Sequence, residues 1–232
     1  MTQAAHQSLV SMPNELVGER VIVRSYRQAD ADAMFAAVEE SRELLSPWFG
    51  WVERYRSVDD ARDYCIRMAA QWLTRDTLSG GIFDAASGRY LGGAGLMRPN
   101  WSARSFEVGY WMRSSALGRG YTTEAVQLLT HLAFGQLAAR RVEIRCDARN
   151  EPSRRVAERL GFVFEGRLRN HSLDLAGLSR DMLVFSLVPA DYRQVGAAWR
   201  AKRHVVQGAQ DHLPGCDRDS LGRTSLSHWP AR

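Results

Sequence analysis

Two short stretches of this 232-residue chain combine residue types and spacings that could do chemistry. The first runs Gly109-Tyr110-Trp111-Met112-Arg113-Ser114-Ser115-Ala116-Leu117-Gly118-Arg119-Gly120-Tyr121-Thr122-Thr123-Glu124-Ala125, an apolar strand joined to an amphipathic helix through a glycine-bearing turn. The first amides of a helix have no partner inside it, and the aligned peptide dipoles place about half a positive charge there, so a phosphate or diphosphate binds readily. Gly118 and Gly120 carry no Cβ, which lets the backbone approach phosphate oxygens and take dihedrals that other residues resist. A lone Gly-x-Gly is equally consistent with a plain turn. The second stretch, Asn150-Glu151-Pro152-Ser153, follows an apolar strand and opens a helix that Gly161 ends. Proline in the first turn and glycine just past the last are where helix physics prefers them. Asn150 and Ser153 are then either simple caps or polar partners for a group brought to the strand end.

Elements that would position these residues can be read from periodicity. Val21 to Arg24 is β-branched and reads as a strand. Asp30 is a candidate N-cap for a helix to about Glu40, with Ala33, Met34, Ala37 and Val38 at helical spacing. After the aromatic run Leu44 to Trp51, Ser57-Val58-Asp59-Asp60 resembles a capping box with Asp in place of Glu, opening a helix to about Arg75. Ile82 to Asp84 and Tyr90 to Met97 form an expected hairpin, and Ser105 to Met112 a further strand. A helix from Tyr121 to about Leu137, a strand from Arg141 to Cys146, a helix from Pro152 to Leu160 and strands at Phe162 to Leu168 and Asp181 to Val188 complete the pattern. A meander followed by β-α-β-α-β predicts a mixed α/β sheet with helices on both faces.

Composition narrows the classes. An apolar fraction of 45% and a charged fraction of 25% belong to an ordinary globular domain. Residues 1–14 are polar and aperiodic and read as a flexible leader, residues 15–190 as one domain, and 191–232 as a short helix near Tyr192 to Arg203 followed by a disordered tail. No apolar run reaches the roughly 18 residues that span a bilayer and no secretory signal opens the chain, so a cytoplasmic protein without membrane association is expected. Cys65, Cys146 and Cys216 are too few and too scattered for a disulfide framework or a zinc site, so no metal is expected. The formal charge is +5, but the residues from Asp191 onward hold seven Arg or Lys against four Asp, leaving +2 for the rest. That balance argues against nucleic acid as a partner.

Taken together and in order, Glu107-Val108-Gly109-Tyr110-Trp111-Met112, Gly118 to Ala125, Asn150 to Ser153, Leu160-Gly161-Phe162 with Glu165-Gly166, and the upstream Leu45-Ser46-Pro47-Trp48 resemble the GNAT superfamily of acyl-CoA-dependent N-acyltransferases. Within it they are similar to the RimJ/RimL branch of ribosomal-protein N-terminal acetyltransferases. The likeness covers about Leu16 to Pro189. It implies a mixed, mostly antiparallel sheet whose central strands splay, and acetyl-CoA as co-substrate. It places the diphosphate over Leu117, Gly118, Arg119, Gly120, Tyr121 and Thr122, and pantetheine against backbone groups of Met112 and Arg113. Asn150 and Ser153 fall at the thioester end, and Trp48, Trp51 and Tyr110 around the acceptor amine.

Chemistry at such a site needs a neutral amine, a polarised thioester and a proton for the departing thiolate. Glu107 occupies about the place of a general base in several members of the superfamily, and Ser153 could stabilise the thiolate. Two departures stand out. The helix position where many relatives carry a tyrosine acid is Ala157, and the strand position where RimL-type enzymes carry a glutamate is Ser172, next to His171. An imidazole can accept a proton at neutral pH, so His171 is the third catalytic candidate. Ser115 stands where the loop usually opens with Gln or Arg. The acceptor reads as a protein N-terminal amine; a small amine such as an aminoglycoside, polyamine or amino-acid derivative, or a non-catalytic acyl-CoA sensor, are the alternatives. A homodimer is expected by analogy alone.

Overall fold

The computed structural model describes residues 6–199 and a two-residue strand at 204–205. In chain order these are β1 (Glu15–Val17), β2 (Val21–Ser25), α1 (Ala31–Leu45), α2 (Val58–Thr74), β3 (Leu78–Asp84), β4 (Tyr90–Asn100) and β5 (Ser105–Met112), then α3 (Tyr121–Gly135), β6 (Arg141–Asp147), α4 (Glu151–Arg159), β7 (Val163–Leu173), β8 (Ser179–Leu187), α5 (Pro189–Gly196) and β9 (His204–Val205). All nine strands form one sheet in the order β7-β8-β6-β5-β4-β3-β2-β1-β9. Every neighbouring pair is antiparallel except β5 and β6. A parallel step needs a crossover, and α3 supplies it.

Strand alternation divides the core into two layers, one on each face of the sheet. Phe106, Val108 and Met112 of β5, with Val142, Ile144 and Cys146 of β6, pack against Leu128, Leu129, Leu132 and Ala133 of α3 and Val156 and Ala157 of α4. The opposite face carries Trp111 against Met34, Ala37 and Val38 of α1 and Ala61, Cys65 and Met68 of α2. The period-2 pattern of the strands and the 3.6-residue pattern of the helices therefore meet as expected.

The Ser57–Asp60 capping box forms, with Asp60 Oδ2 accepting from the Ser57 amide at 2.8 Å, and α2 ends at a left-handed Arg75. Other expectations shift. Helix α1 continues to Leu45, and Asp30 does not cap it; its carboxylate instead accepts from Arg24 and from the Arg27 amide. Leu78 to Gly81 and Arg98 to Asn100 extend the expected hairpin: the first four residues pair with β4, and beyond an irregularity after Met97 Asn100 pairs with Ser105. Residues 6–14 are no loose leader. The Gln7 amide nitrogen donates to Asp76 at 2.8 Å, the Arg75 guanidinium donates to the Val10 carbonyl, and Val10 and Met12 pack on the core. Residues 1–5, residues 200–203 of the expected helix and the expected tail at 206–232 lie outside the described residues.

Leu129 is fully buried at the centre of α3. Leu129→Ala should cost about 3 kcal/mol through lost burial and the cavity left behind. Denaturant unfolding measures this, and a loss below about 1 kcal/mol would contradict the packing described.

Candidate active site

The central feature of the site is a pairing that stops. Strands β5 and β6 are in register only at Ser105↔Arg141, Phe106↔Val142 and Glu107↔Glu143. Beyond Glu107, β5 stays zipped to β4 as far as Met112, while β6 follows β8 from Val142 to Asp147. The two strands therefore part, and a slot opens between Val108–Met112 and Ile144–Asp147. The Arg113 amide donates to the Leu91 carbonyl at 2.9 Å, which sets the phase of the β4–β5 ladder. Alternation then turns the peptide groups of Val108, Tyr110 and Met112 towards the slot. A cavity of about 730 Å³ runs through it, from the aromatic cluster under α1 and α2 to the start of α4.

At the end of β5 the chain makes a single 3₁₀ turn, Ser114–Ala116, and enters α3. Gly118 and Gly120 have φ of 74° and 78°, so the expectation that glycine is needed in this turn is met by the backbone itself. The amides of Gly118, Arg119, Gly120, Tyr121, Thr122 and Thr123 have no hydrogen-bond partner among the described residues, and the first amide of α3 that does is Glu124, bonded to the Gly120 carbonyl. No side chain among the described residues accepts a hydrogen bond from these amides, and the space at Gly118 is open. Two members of the predicted set do not share its property. The Leu117 amide bonds back to Ser114, and both backbone groups of Arg113 are committed, the amide to Leu91 and the carbonyl to the Ala116 amide. Both backbone groups of Arg113 thus already have partners inside the protein, whereas the peptide groups of Met112 face the slot.

The Arg113 guanidinium binds the Glu40 carboxylate, which also accepts from the Ser115 amide at 2.8 Å and the Ser114 hydroxyl at 2.9 Å. These bonds, Arg113 first, hold the Glu40 carboxyl far below the usual carboxylate range despite the cost of partial burial. Helix α1 thereby clamps the base of the loop. Arg89 reaches the Ser115 hydroxyl at 3.0 Å, bringing a cation to the place where the sequence lacked one. Neither Glu40 nor Arg89 was visible in the motif, because both act from distant elements.

Asn150 caps α4, its Oδ1 accepting from the Ser153 amide at 3.1 Å, so the plain capping reading holds for it while it also lines the cavity. The Ser153 hydroxyl lies 3.0 Å from the Tyr110 hydroxyl, which bridges from β5 to α4 across the slot. Tyr110, expected beside the acceptor, lines the same cavity as Trp48 and Trp51; like the other even-numbered residues of β5 it points to the α3–α4 face of the sheet. Burial pushes its phenol well above the ordinary range, so it is a neutral hydroxyl. Burial likewise raises the neighbouring Cys146 thiol to about 11, which keeps it protonated.

Glu107 sits at the apex where the strands part, with its side chain 14% exposed and ion-paired to Arg98 at 2.9 Å and Arg145 at 3.9 Å. Trp48, Trp51, His171 and Ser172 line the same cavity. Trp51 is part of a ring cluster with Phe49, Tyr55 and Trp111 at centroid distances of 5.4–5.6 Å. The Trp48 carbonyl accepts from Arg180, whose Nε donates to Asp147 at 2.7 Å. The Asp147 side chain is 1% exposed. Burial alone would raise its carboxyl, but hydrogen bonds from the Arg149 side chain and amide and from Arg180 outweigh that and bring it down to about 2. Among the described residues no cluster of His, Cys, Asp and Glu is arranged to hold a metal ion, and no helix is long and apolar enough to cross a membrane.

A splayed β5–β6 pair beside a glycine turn with bare helix-start amides defines an acyl-CoA-dependent acetyltransferase. Residues 20–163 match the acetyltransferase (GNAT) domain family, and the chain belongs to it. It is similar to YdaF of Bacillus subtilis (strain 168), a ribosomal N-acetyltransferase by provisional name, at 28% identity over 177 residues, covering 76% of this chain and 95% of that one. A GCN5-related N-acetyltransferase from Brucella melitensis superposes with a TM-score of 0.72 at 28% identity, over 82% of this chain and 85% of that one. RimL, a ribosomal L7/L12 α-N-protein acetyltransferase solved with coenzyme A, shares the fold with a TM-score of 0.67 at 22% identity, over 73% and 94% of the two chains.

Two outcomes are expected. The space beyond a Cβ at Gly118 is open, so Gly118→Glu should leave the fold intact apart from about 1 kcal/mol of left-handed strain, yet reduce affinity for acetyl-CoA at least 100-fold by setting a carboxylate where phosphates would lie. Calorimetric titration against a melting curve separates the two effects. For Asp147 the folded carboxyl titrates below its unfolded value near 3.8, so its contribution is complete above about pH 4 and is lost as the pH falls towards 2. Unfolding free energy measured from pH 5 to 2 should fall by about 2 kcal/mol more in the wild type than in Asp147→Asn.

Proposed function

We propose that the protein transfers the acetyl group of acetyl-CoA to the N-terminal α-amine of a protein, with a ribosomal-protein-like chain as acceptor. The observation that carries the acetyl-CoA part is the slot: six consecutive bare amides at one end, unpaired strand edges along it, and a carboxylate at its apex. The six amides and the loop glycines fit a diphosphate; the slot-facing peptide groups of Val108, Tyr110 and Met112 fit the amides of pantetheine. A thioester carried down the slot would arrive at Glu107, the last residue of β5 that pairs with β6.

The acceptor enters from the α1–α2 side. Trp48 and Trp51 provide an apolar wall with faces that attract an ammonium group before it loses its proton. An α-amine has a pKa of about 8, so modest help suffices, and Glu107 takes the proton through a water molecule. Holding both substrates in one cavity supplies much of the remaining rate. The thiolate leaves beside the Ser153 and Tyr110 hydroxyls, which donate to its developing charge.

The choice of a protein acceptor over a polyamine or aminoglycoside is supported by the charges in the cavity. Its carboxylates are already engaged: Glu107 with Arg98 and Arg145, Asp147 with Arg149 and Arg180, Asp63 with Arg67, and Asp60 as the cap of α2. No free anionic wall remains to hold a polycation. The names of YdaF and RimL point the same way.

Release of free CoA thiol from acetyl-CoA, followed across a panel of amines, tests this reading. Peptides with a free N-terminus should be turned over; the same peptides with a blocked N-terminus, spermidine and kanamycin should not. Exclusive turnover of the small amines would overturn the acceptor assignment. Glu107→Gln should lower kcat on the order of 100-fold at pH 7 with KM for acetyl-CoA unchanged, and recover as rising pH deprotonates the amine without help. A full-rate Glu107→Gln beside an inactive His171→Ala would move the base to His171.

A further inference from the structure

Arg20 lies in the turn between β1 and β2, a hundred residues from the glycine loop, yet its side chain hydrogen-bonds to the loop and to the first turn of α3. Its amide donates to Glu124 Oε1 at 2.8 Å and its Nε to Oε2 at 2.9 Å. One terminal nitrogen donates to the Arg119 carbonyl at 2.7 Å, and the other approaches the Gly120 carbonyl at 3.5 Å. We propose that Arg20 is a positioning residue for the diphosphate of coenzyme A, acting through the Arg119–Gly120 peptide and through Glu124; this rests on the acetyl-CoA reading above.

Two physical consequences carry the argument. In a trans peptide the C=O and the following N–H point in opposite directions. Fixing the Arg119 carbonyl on Arg20 therefore turns the Gly120 amide away from the protein and out of the mouth of α3. The second consequence is electrostatic. Glu124 is in the first turn of α3, with its side chain 8% exposed, one turn below the amides that a diphosphate would use. Left alone, that carboxylate would cancel the positive end of the helix; paired with Arg20, it leaves the mouth attractive to an anion. The fit is tight on both sides. A Cβ at Gly18 would stand 2.4 Å from Glu124 Oε1, and one at Gly120 would stand 3.1 Å from an Arg20 nitrogen.

Arginine is required here for its fork, since one side chain must meet a carboxylate with one edge and a carbonyl with another. Lysine keeps the charge but has a single nitrogen. The half-exposed guanidinium, 51% accessible, also leaves its positive charge at the rim of the loop.

Calorimetric titration of the full chain with CoA gives the test. Arg20→Met should raise Kd about 30-fold, equivalent to about 2 kcal/mol, and Arg20→Lys should fall between it and the wild type. Removing the stranded carboxylate as well, in Arg20→Met/Glu124→Gln, should recover most of the loss, while Glu124→Gln alone should bind CoA as tightly as the wild type or tighter. In turnover, Arg20→Met should raise KM for acetyl-CoA with kcat at saturation within about twofold, a split that general destabilisation would not give. Wild-type affinity in a folded Arg20→Met, a loss of kcat at unchanged KM, or no recovery in the double variant would overturn the proposal. Failure of the wild-type chain itself to bind CoA would overturn the acetyl-CoA reading as a whole.

Discussion

Everything at the site follows from the decision of β5 and β6 to pair for three residues and then separate. Buried backbone donors and acceptors without partners are costly, so a sheet interior does not open without something holding each strand to its other neighbour. Here β4 holds β5 through Met112 and β8 holds β6 through Asp147. The gap is consequently rigid, and its exposed peptide edges are a template that an extended molecule with amide groups can satisfy.

The two lips of the gap are tied on opposite faces by different chemistry. On the α4 face the neutral Tyr110 and Ser153 hydroxyls meet across it. On the α1–α2 face, charge does the work: Glu107 gathers Arg98 and Arg145, while buried Asp147 gathers Arg149 and Arg180 and through Arg180 reaches the Trp48 carbonyl. A buried ion pair contributes little net stability against its desolvation cost, but breaking one strands a charge, so such networks fix geometry more than they add stability. The geometry fixed is that of the aromatic wall and of β8 beside the cavity.

The arrangement of the loop amides is a collective property as well. The bare amides come from local geometry, but their orientation depends on Arg20 from the β1–β2 turn and on Glu40 and Ser41 from α1, the Ser41 hydroxyl accepting from the Ser114 amide at 2.9 Å. Two elements far apart in sequence converge on eight residues of loop, which explains why a short glycine motif alone is an ambiguous signal.

Much of the fold was legible because its determinants are local. Periodicity located α2 and α3 to within about two residues, the Ser57–Asp60 box marked a true helix start, and the glycines at 118 and 120 announced a left-handed turn that few other residues tolerate. The same order of motifs was enough to indicate the family. What spacing could not reveal was which backbone groups remain free. The backbone groups of Arg113 looked free and already have partners in β4 and the 3₁₀ turn. Tyr110 reaches across to the start of α4, and residues 6–14 found partners at the end of α2. Strand pairing, its premature end at Glu107 and the long-range ion pairs are decided by how distant segments satisfy one another's hydrogen bonds and charges, and that information exists only once the chain has closed on itself.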